Sequence, residues 1–135
     1  MDDKRRAFTI LIIDDDPDFR EIISAKLKAA GFGVVGADGG EAGIAKALEI
    51  MPDLILLDIE MPNMSGPQVL NKIKSDPSLQ HLKVAFLTSH GESNEESVWL
   101  DKKFANEIGA IGYIRKTDDL DKILAEVKAF PQYAN

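Results

Sequence analysis

The chain has 135 residues, a length that fits one ordinary domain able to bury roughly two-thirds of its unfolded surface. It contains no cysteine, which excludes disulfide frameworks and thiolate metal sites and suits a reducing compartment, the cytoplasm. A net charge of -7 argues against direct nucleic-acid binding, which needs clustered Lys and Arg, while 44% hydrophobic and 29% charged residues describe a globular chain with a core.

At the start, Lys4, Arg5 and Arg6 before an apolar run imitate a signal peptide. Three aspartates follow and a small-residue cleavage site does not, so secretion is not expected. No segment approaches the roughly eighteen apolar residues of a membrane span. Residues 8–13 read as a buried strand. Asp16 and Pro17 then open a helix as N-cap and first residue, with Phe19, Ile22, Ile23, Leu27 and Ala30 on one face and Gly31 as its stop. A strand over 33–37 leads through Asp38, Gly39 and Gly40 into a second helix that carries Ile44, Ala45, Leu48 and Met51 at helical spacing and ends at Pro52.

Residues 54–57 form a fully apolar strand ending in Asp58, a loop covers 61–66, and a third helix runs near 67–74. The fourth strand, 82–87, ends in Thr88. Ser93 and Glu96 have capping-box spacing, which predicts a helix whose inner stripe is Leu100, Phe104 and Ile108. A fifth strand covers 111–114. The last helix, about 118–129, turns Leu120, Ile123, Leu124 and Val127 inward before Pro131. No repeat, low-complexity segment or linker interrupts this order.

Short strands joined by helical crossovers imply a doubly wound α/β fold: a five-stranded parallel sheet with helices on both faces. Ligands of such sheets bind beyond the strands' carboxyl ends. Four of the five strands end in or just before groups suited to phosphate or metal: Asp14, Asp15 and Asp16, then Asp58, Thr88 and Lys116. Clustered carboxylates repel by ~3 kcal/mol per pair at about 5 Å with an effective dielectric of about 20. A hard divalent cation such as Mg²⁺ offsets this, and with Lys116 and Thr88 the set suits phosphoryl transfer.

The segments LIIDDDPDFR, LILLDIEMPNMSG, VAFLTSH and GAIGYIRK resemble the receiver domains of bacterial two-component response regulators, including the chemotaxis type. The resemblance covers roughly residues 8–129 and implies a single receiver domain over 1–135 with the flavodoxin-like strand order 2-1-3-4-5. It also implies that Asp58 accepts a phosphoryl group from a phosphohistidine of a sensor histidine kinase or histidine phosphotransfer protein. Asp15 and Asp58 would ligate Mg²⁺ directly, Asp14 through a water, and Glu60 through its backbone carbonyl. Thr88 and Lys116 would meet the phosphoryl charge, and movement of Thr88 would let Tyr113 rotate inward, switching the surface for a downstream protein target. The domain would act as a signalling switch without membrane or nucleic-acid contact, promoting its own phosphorylation and slow dephosphorylation. The absence of linker composition favours a stand-alone protein.

The sequence departs from the family at several places. Thr117 stands where proline usually follows the lysine in a cis peptide, and a cis bond costs about 2.5 to 4 kcal/mol without proline, which leaves the lysine loop open to rearrangement. Ser65 replaces an aspartate before Gly66, a change expected to alter only local turn bonding. The interval from Thr88 to Lys116 is lengthened, with the extra residues placed in 90–96 as a surface insertion or a partner-specific extension of the following helix. Trp99, off that helix's apolar stripe, is a candidate docking anchor. Glu60 and His90 occupy positions that influence acyl-phosphate hydrolysis in the family, though His90 also reads as a solvated loop residue and His81 as structural or exposed. Two competing functions are a haloacid-dehalogenase-type hydrolase using Asp14 and Asp16, and a receiver-like interaction module not regulated by phosphorylation.

Overall fold

The computed structural model describes residues 7–89 and 109–130. Five strands, β1 (Thr9–Ile13), β2 (Gly33–Ala37), β3 (Leu54–Asp58), β4 (Val84–Thr88) and β5 (Gly112–Arg115), form one parallel sheet in the order β2-β1-β3-β4-β5. The helices described are α1 (Pro17–Ala29), α2 (Gly40–Ile50), α3 (Gly66–Ser75) and α4 (Leu120–Ala129). The helix expected from Ser93, with Leu100, Phe104, Ile108 and Trp99, lies outside the described residues, as does His90. No helix among the described residues is long and apolar enough to cross a membrane.

Strands covered on both faces have no use for polar alternation, and β3 and β4 are buried at every position. Successive side chains enter two cores. Leu11, Ile13, Leu57 and Phe86 pack with Val69 and Ile73 of α3, while Ile12, Leu56 and Leu87 pack with Ile23 of α1 and Ile123 of α4. Parallel register carries every strand's carboxyl end to one edge.

The helix boundaries follow side-chain chemistry. The Asp16 carboxylate accepts from the N–H groups of Asp18 and Phe19 ahead of Pro17, and Gly31 adopts the left-handed φ of 101° that terminates α1. Ser65 caps α3 in a full capping box: its hydroxyl accepts from Gln68 N–H, and the Gln68 side chain accepts from Ser65 N–H. Ser65 thus fills the capping role that an aspartate can also fill, and the replacement changes which side chain bonds the first turn of α3. Asp119 caps α4, whose first residue, Leu120, comes two residues later than expected.

Two predicted faces are corrected. In α2 the buried positions are Gly40, Gly43 and Ala47, with Ile44 half-buried, while Ala45, Leu48 and Met51 are exposed. The reason is close approach: a Cβ on Gly43 would lie 2.5 Å from Ile13 Cδ1, so glycines, invisible to an apolar count, mark the face that meets β1. In α1, Ile22 and Ala30 are also exposed.

Gly66 ties this packing to the sheet edge. A Cβ there would collide with the Asp58 carbonyl oxygen and stand 2.8 Å from Ile59 Cα, both main-chain atoms that cannot swing aside. Gly66→Ala is expected to lower unfolding free energy by about 3 kcal/mol in urea titration, the upper range of overpacking costs; a loss under about 0.5 kcal/mol would show that α3 can retreat freely.

Candidate functional site

Asp14, the residue after β1, is wholly buried. Its N–H donates to the Ala37 carbonyl at 3.1 Å, extending the β1–β2 ladder, and its Oδ1 accepts from Asp16 N–H at 2.9 Å. Asp15 follows, exposed at the rim. Asp58 ends β3 at 4% exposure, and its Oδ1 accepts from Glu60 N–H at 3.3 Å. Thr88 ends β4, buried at 2% exposure. Lys116 stands one residue past β5, its N–H bonded to the Thr88 carbonyl at 2.8 Å, so the β4–β5 ladder itself sets the lysine beside the threonine.

The Lys116 ammonium lies 2.8 Å from Asp14 Oδ2 and 3.7 Å from Asp58 Oδ2. The Lys116–Thr117 bond is trans, since no cis peptide occurs among the described residues. Loss of the family's proline thus leaves the lysine at the carboxylates. The Phe19 ring of α1, 4.8 Å from the ammonium, adds a cation–π contact on that side.

Tyr113 is half-buried on β5, in register with Phe86 of β4, and packs on the core that includes Phe86. Because side chains alternate along strands and paired positions share a face, Thr88, Phe86 and Tyr113 project to the same side of the sheet. Glu60 is exposed beside Asp58. His81 is also exposed, before β4. Asp16, engaged in capping α1, does not join Asp14 as a second reacting carboxylate.

Ligand oxygens of Asp14, Asp15 and Asp58 all lie within 4.8 Å of one another. Asp14 Oδ2 is buried, and among the described residues the Lys116 ammonium is the group that meets it, at 2.8 Å. Burial first, then the charge of Asp14, pushes the Asp58 carboxyl up to about 7 from an ordinary 3.8, against the opposing pull of Lys116 and the Glu60 N–H. Burial alone would lower the Lys116 pKa, but its hydrogen bond to Asp14 and the charges of Asp14, Asp58 and Asp16 raise it above the ordinary lysine value. Lys116 is therefore a fixed cation, and it does not balance the cluster alone. Three hard oxygen donors in this spacing, one of them a raised-pKa carboxyl, fit a small divalent cation.

Arg20 escaped the sequence reading. Its Nη1 donates to the Asp14 carbonyl at 2.6 Å. The available signal was a cation near the positive end of α1, a position the helix dipole disfavours unless the side chain has an anchor.

The raised Asp58 pKa fixes a pH dependence for the metal-free protein. Between about pH 4 and pH 7 the folded state holds a proton that the unfolded chain has released, so stability falls as pH rises through that window, by on the order of 4 kcal/mol. Asp58→Asn in EDTA is expected to match wild type in thermal melts near pH 4 and to exceed it increasingly toward pH 8. A gap independent of pH would contradict this origin.

Residues 10–128 match the family described as the response regulator receiver domain. The chain is 35% identical over 120 residues to the DNA-binding dual master transcriptional regulator RpaA of Synechocystis, covering 89% of this chain and 47% of that protein. It is 33% identical over 121 residues to the phosphate regulon transcriptional regulatory protein PhoB of Pseudomonas aeruginosa, covering 90% and 50%. The chain thus spans about half the length of these curated relatives. Among solved structures, the chemotaxis response regulator CheY4 of Vibrio cholerae superposes with a TM-score of 0.79 at 25% identity, over 91% of this chain and 98% of that one. A response regulator receiver domain protein from Clostridium thermocellum gives 0.77 at 26%, over 93% and 94%. Sheet order, the acid-rich strand ends and the matched residues agree: the chain belongs to the response regulator receiver domain family of two-component signalling.

Proposed function

We propose that this receiver domain accepts a phosphoryl group on Asp58 from a phosphohistidine and thereby switches the protein-binding surface around Tyr113. The observation that carries the proposal is the convergence of Asp14, Asp15, Asp58, Thr88 and Lys116 at one sheet edge, with Asp58 the buried carboxylate nearest the lysine besides Asp14. The ionised Asp58 oxygen attacks phosphorus, the phosphorus–nitrogen bond breaks with its electron pair leaving on the imidazole, and an acyl phosphate forms. Asp15, Asp58 and the Glu60 carbonyl would hold Mg²⁺, with Asp14 acting through a water, and the ion would supply charge neutralisation for the phosphoryl oxygens. Lys116, fixed by Asp14 and the Phe19 ring, adds a permanent positive charge, and the Thr88 hydroxyl offers a donor.

The acyl phosphate acts on a population. Thr88 and Tyr113 share a face, so a Thr88 drawn toward the phosphoryl oxygens frees room on the side where the tyrosine packs. The donor would be a histidine kinase or phosphotransfer protein and the target a protein that reads the β4–β5 face. Transcriptional outputs belong to RpaA and PhoB as whole proteins and are not needed for this step. An interaction module indifferent to phosphorylation would have no use for a raised-pKa carboxyl set beside a half-buried lysine.

Intact-mass measurement after incubation with Mg²⁺ and acetyl phosphate tests the proposal. Wild type is expected to gain one phosphoryl group, Asp58→Asn none, and Lys116→Ala to react about a hundredfold more slowly, the scale of losing one preorganised charge at a reacting centre. Equal labelling of Asp58→Asn and wild type would overturn it.

A further inference from the structure

Arg20 belongs to α1 yet reaches across the sheet's edge strand. A Cβ built on Gly36 of β2 would stand 3.4 Å from Arg20 Cδ and 3.6 Å from Nε, so the side chain runs over the bare Gly36 backbone before its guanidinium meets the Asp14 carbonyl at 2.6 Å. We propose that Arg20 is a positioning residue for the metal carboxylates, acting through that carbonyl. It rests on the Mg²⁺-dependent function proposed above.

The carbonyl of Asp14 and the nitrogen of Asp15 lie in one rigid peptide plane. Asp14 is held at both faces of its own backbone: its N–H by Ala37 of β2, its C=O by Arg20. Its carboxylate is held by Asp16 N–H and Lys116. Asp15, exposed at the rim, is aimed by the plane that precedes it. Fixing the Asp14 carbonyl fixes that plane, and with it the direction from which the Asp15 carboxylate joins Asp14 and Asp58 within 4.8 Å. Charge-assisted bonds of this kind are about twice as strong as neutral ones, which suits a bond that must hold a chain reversal between a strand and a helix. The half-buried Arg20 thus supports the ligands without occupying a ligand position.

Electrostatics alone predicts the opposite sign. Removing a cation from beside an acidic basin should strengthen binding of another cation, whereas loosening the peptide that aims a ligand should weaken it. The discriminating experiment is calorimetric Mg²⁺ titration of the whole chain at neutral pH, paired with thermal melts in EDTA. Arg20→Ala is expected to weaken Mg²⁺ binding roughly tenfold, the scale seen when groups that orient metal ligands are removed. Arg20→Lys, which keeps one charged donor, should recover to within about threefold of wild type. Gly36→Val provides a second route: it crowds Arg20 from an exposed edge-strand position and should weaken Mg²⁺ binding without lowering the EDTA melting temperature. Wild type that binds Mg²⁺ while Arg20→Ala and Gly36→Val bind it equally or more tightly would overturn the positioning role and leave the proposed function intact. Wild type that fails to bind Mg²⁺ would sink the function and the inference together.

Discussion

Negative charge collected at one edge of a parallel sheet is the constraint on which the rest of this structure depends. Parallel register brings the ends of β1, β3 and β4 together, and the sequence places Asp14, Asp15, Asp58 and Thr88 there. Repulsion of ~3 kcal/mol per pair of carboxylates is a large fraction of the 5 to 15 kcal/mol that keeps a typical domain folded. The sheet withstands it because β3 and β4 are buried along their full length and β1 nearly so, leaving the carboxylates no cheap way to move apart. Burial first, and then the charge of Asp14, push the Asp58 carboxyl up to about 7, so part of the cost falls on that residue.

Lys116 is the partial remedy, and its placement shows how backbone and charge cooperate. The ladder bond from Lys116 N–H to Thr88 O sets where the side chain starts, while Asp14, Asp58 and the Phe19 ring set where it ends. The same ladder carries Tyr113 in register with Phe86, two residues before Thr88. Asp58 and Tyr113 are therefore separated by one intervening strand, β4, whose Thr88 projects to the face that carries Tyr113.

Much of this was legible in the sequence. Strand positions followed from uninterrupted apolar runs, and the site followed from polar residues at their ends. Less legible was anything set by close approach. Gly40 and Gly43 define the inner face of α2, yet an apolar count assigns that face to Leu48 and Met51, which the helix turns outward. Ser65 and Gln68 carried a visible capping signature that was eclipsed by the expectation of an aspartate. Arg20 could not be assigned from its type, because its partner is a main-chain oxygen that any residue at position 14 would supply. The placement of Lys116 after a trans bond to Thr117 depended on the competing pull of three neighbours, which only coordinates weigh.

The central claim is that burial, together with the charge of Asp14, keeps a proton on Asp58 which a bound cation displaces. Proton release on Mg²⁺ binding measures this directly, through titration calorimetry in buffers of different ionisation enthalpy. With the Asp58 carboxyl raised to about 7, Mg²⁺ binding near neutral pH should release a fraction of a proton, a release that falls toward zero by pH 9 and is absent in Asp58→Asn. Mg²⁺ binding to wild type at pH 7 with no proton release would contradict the account.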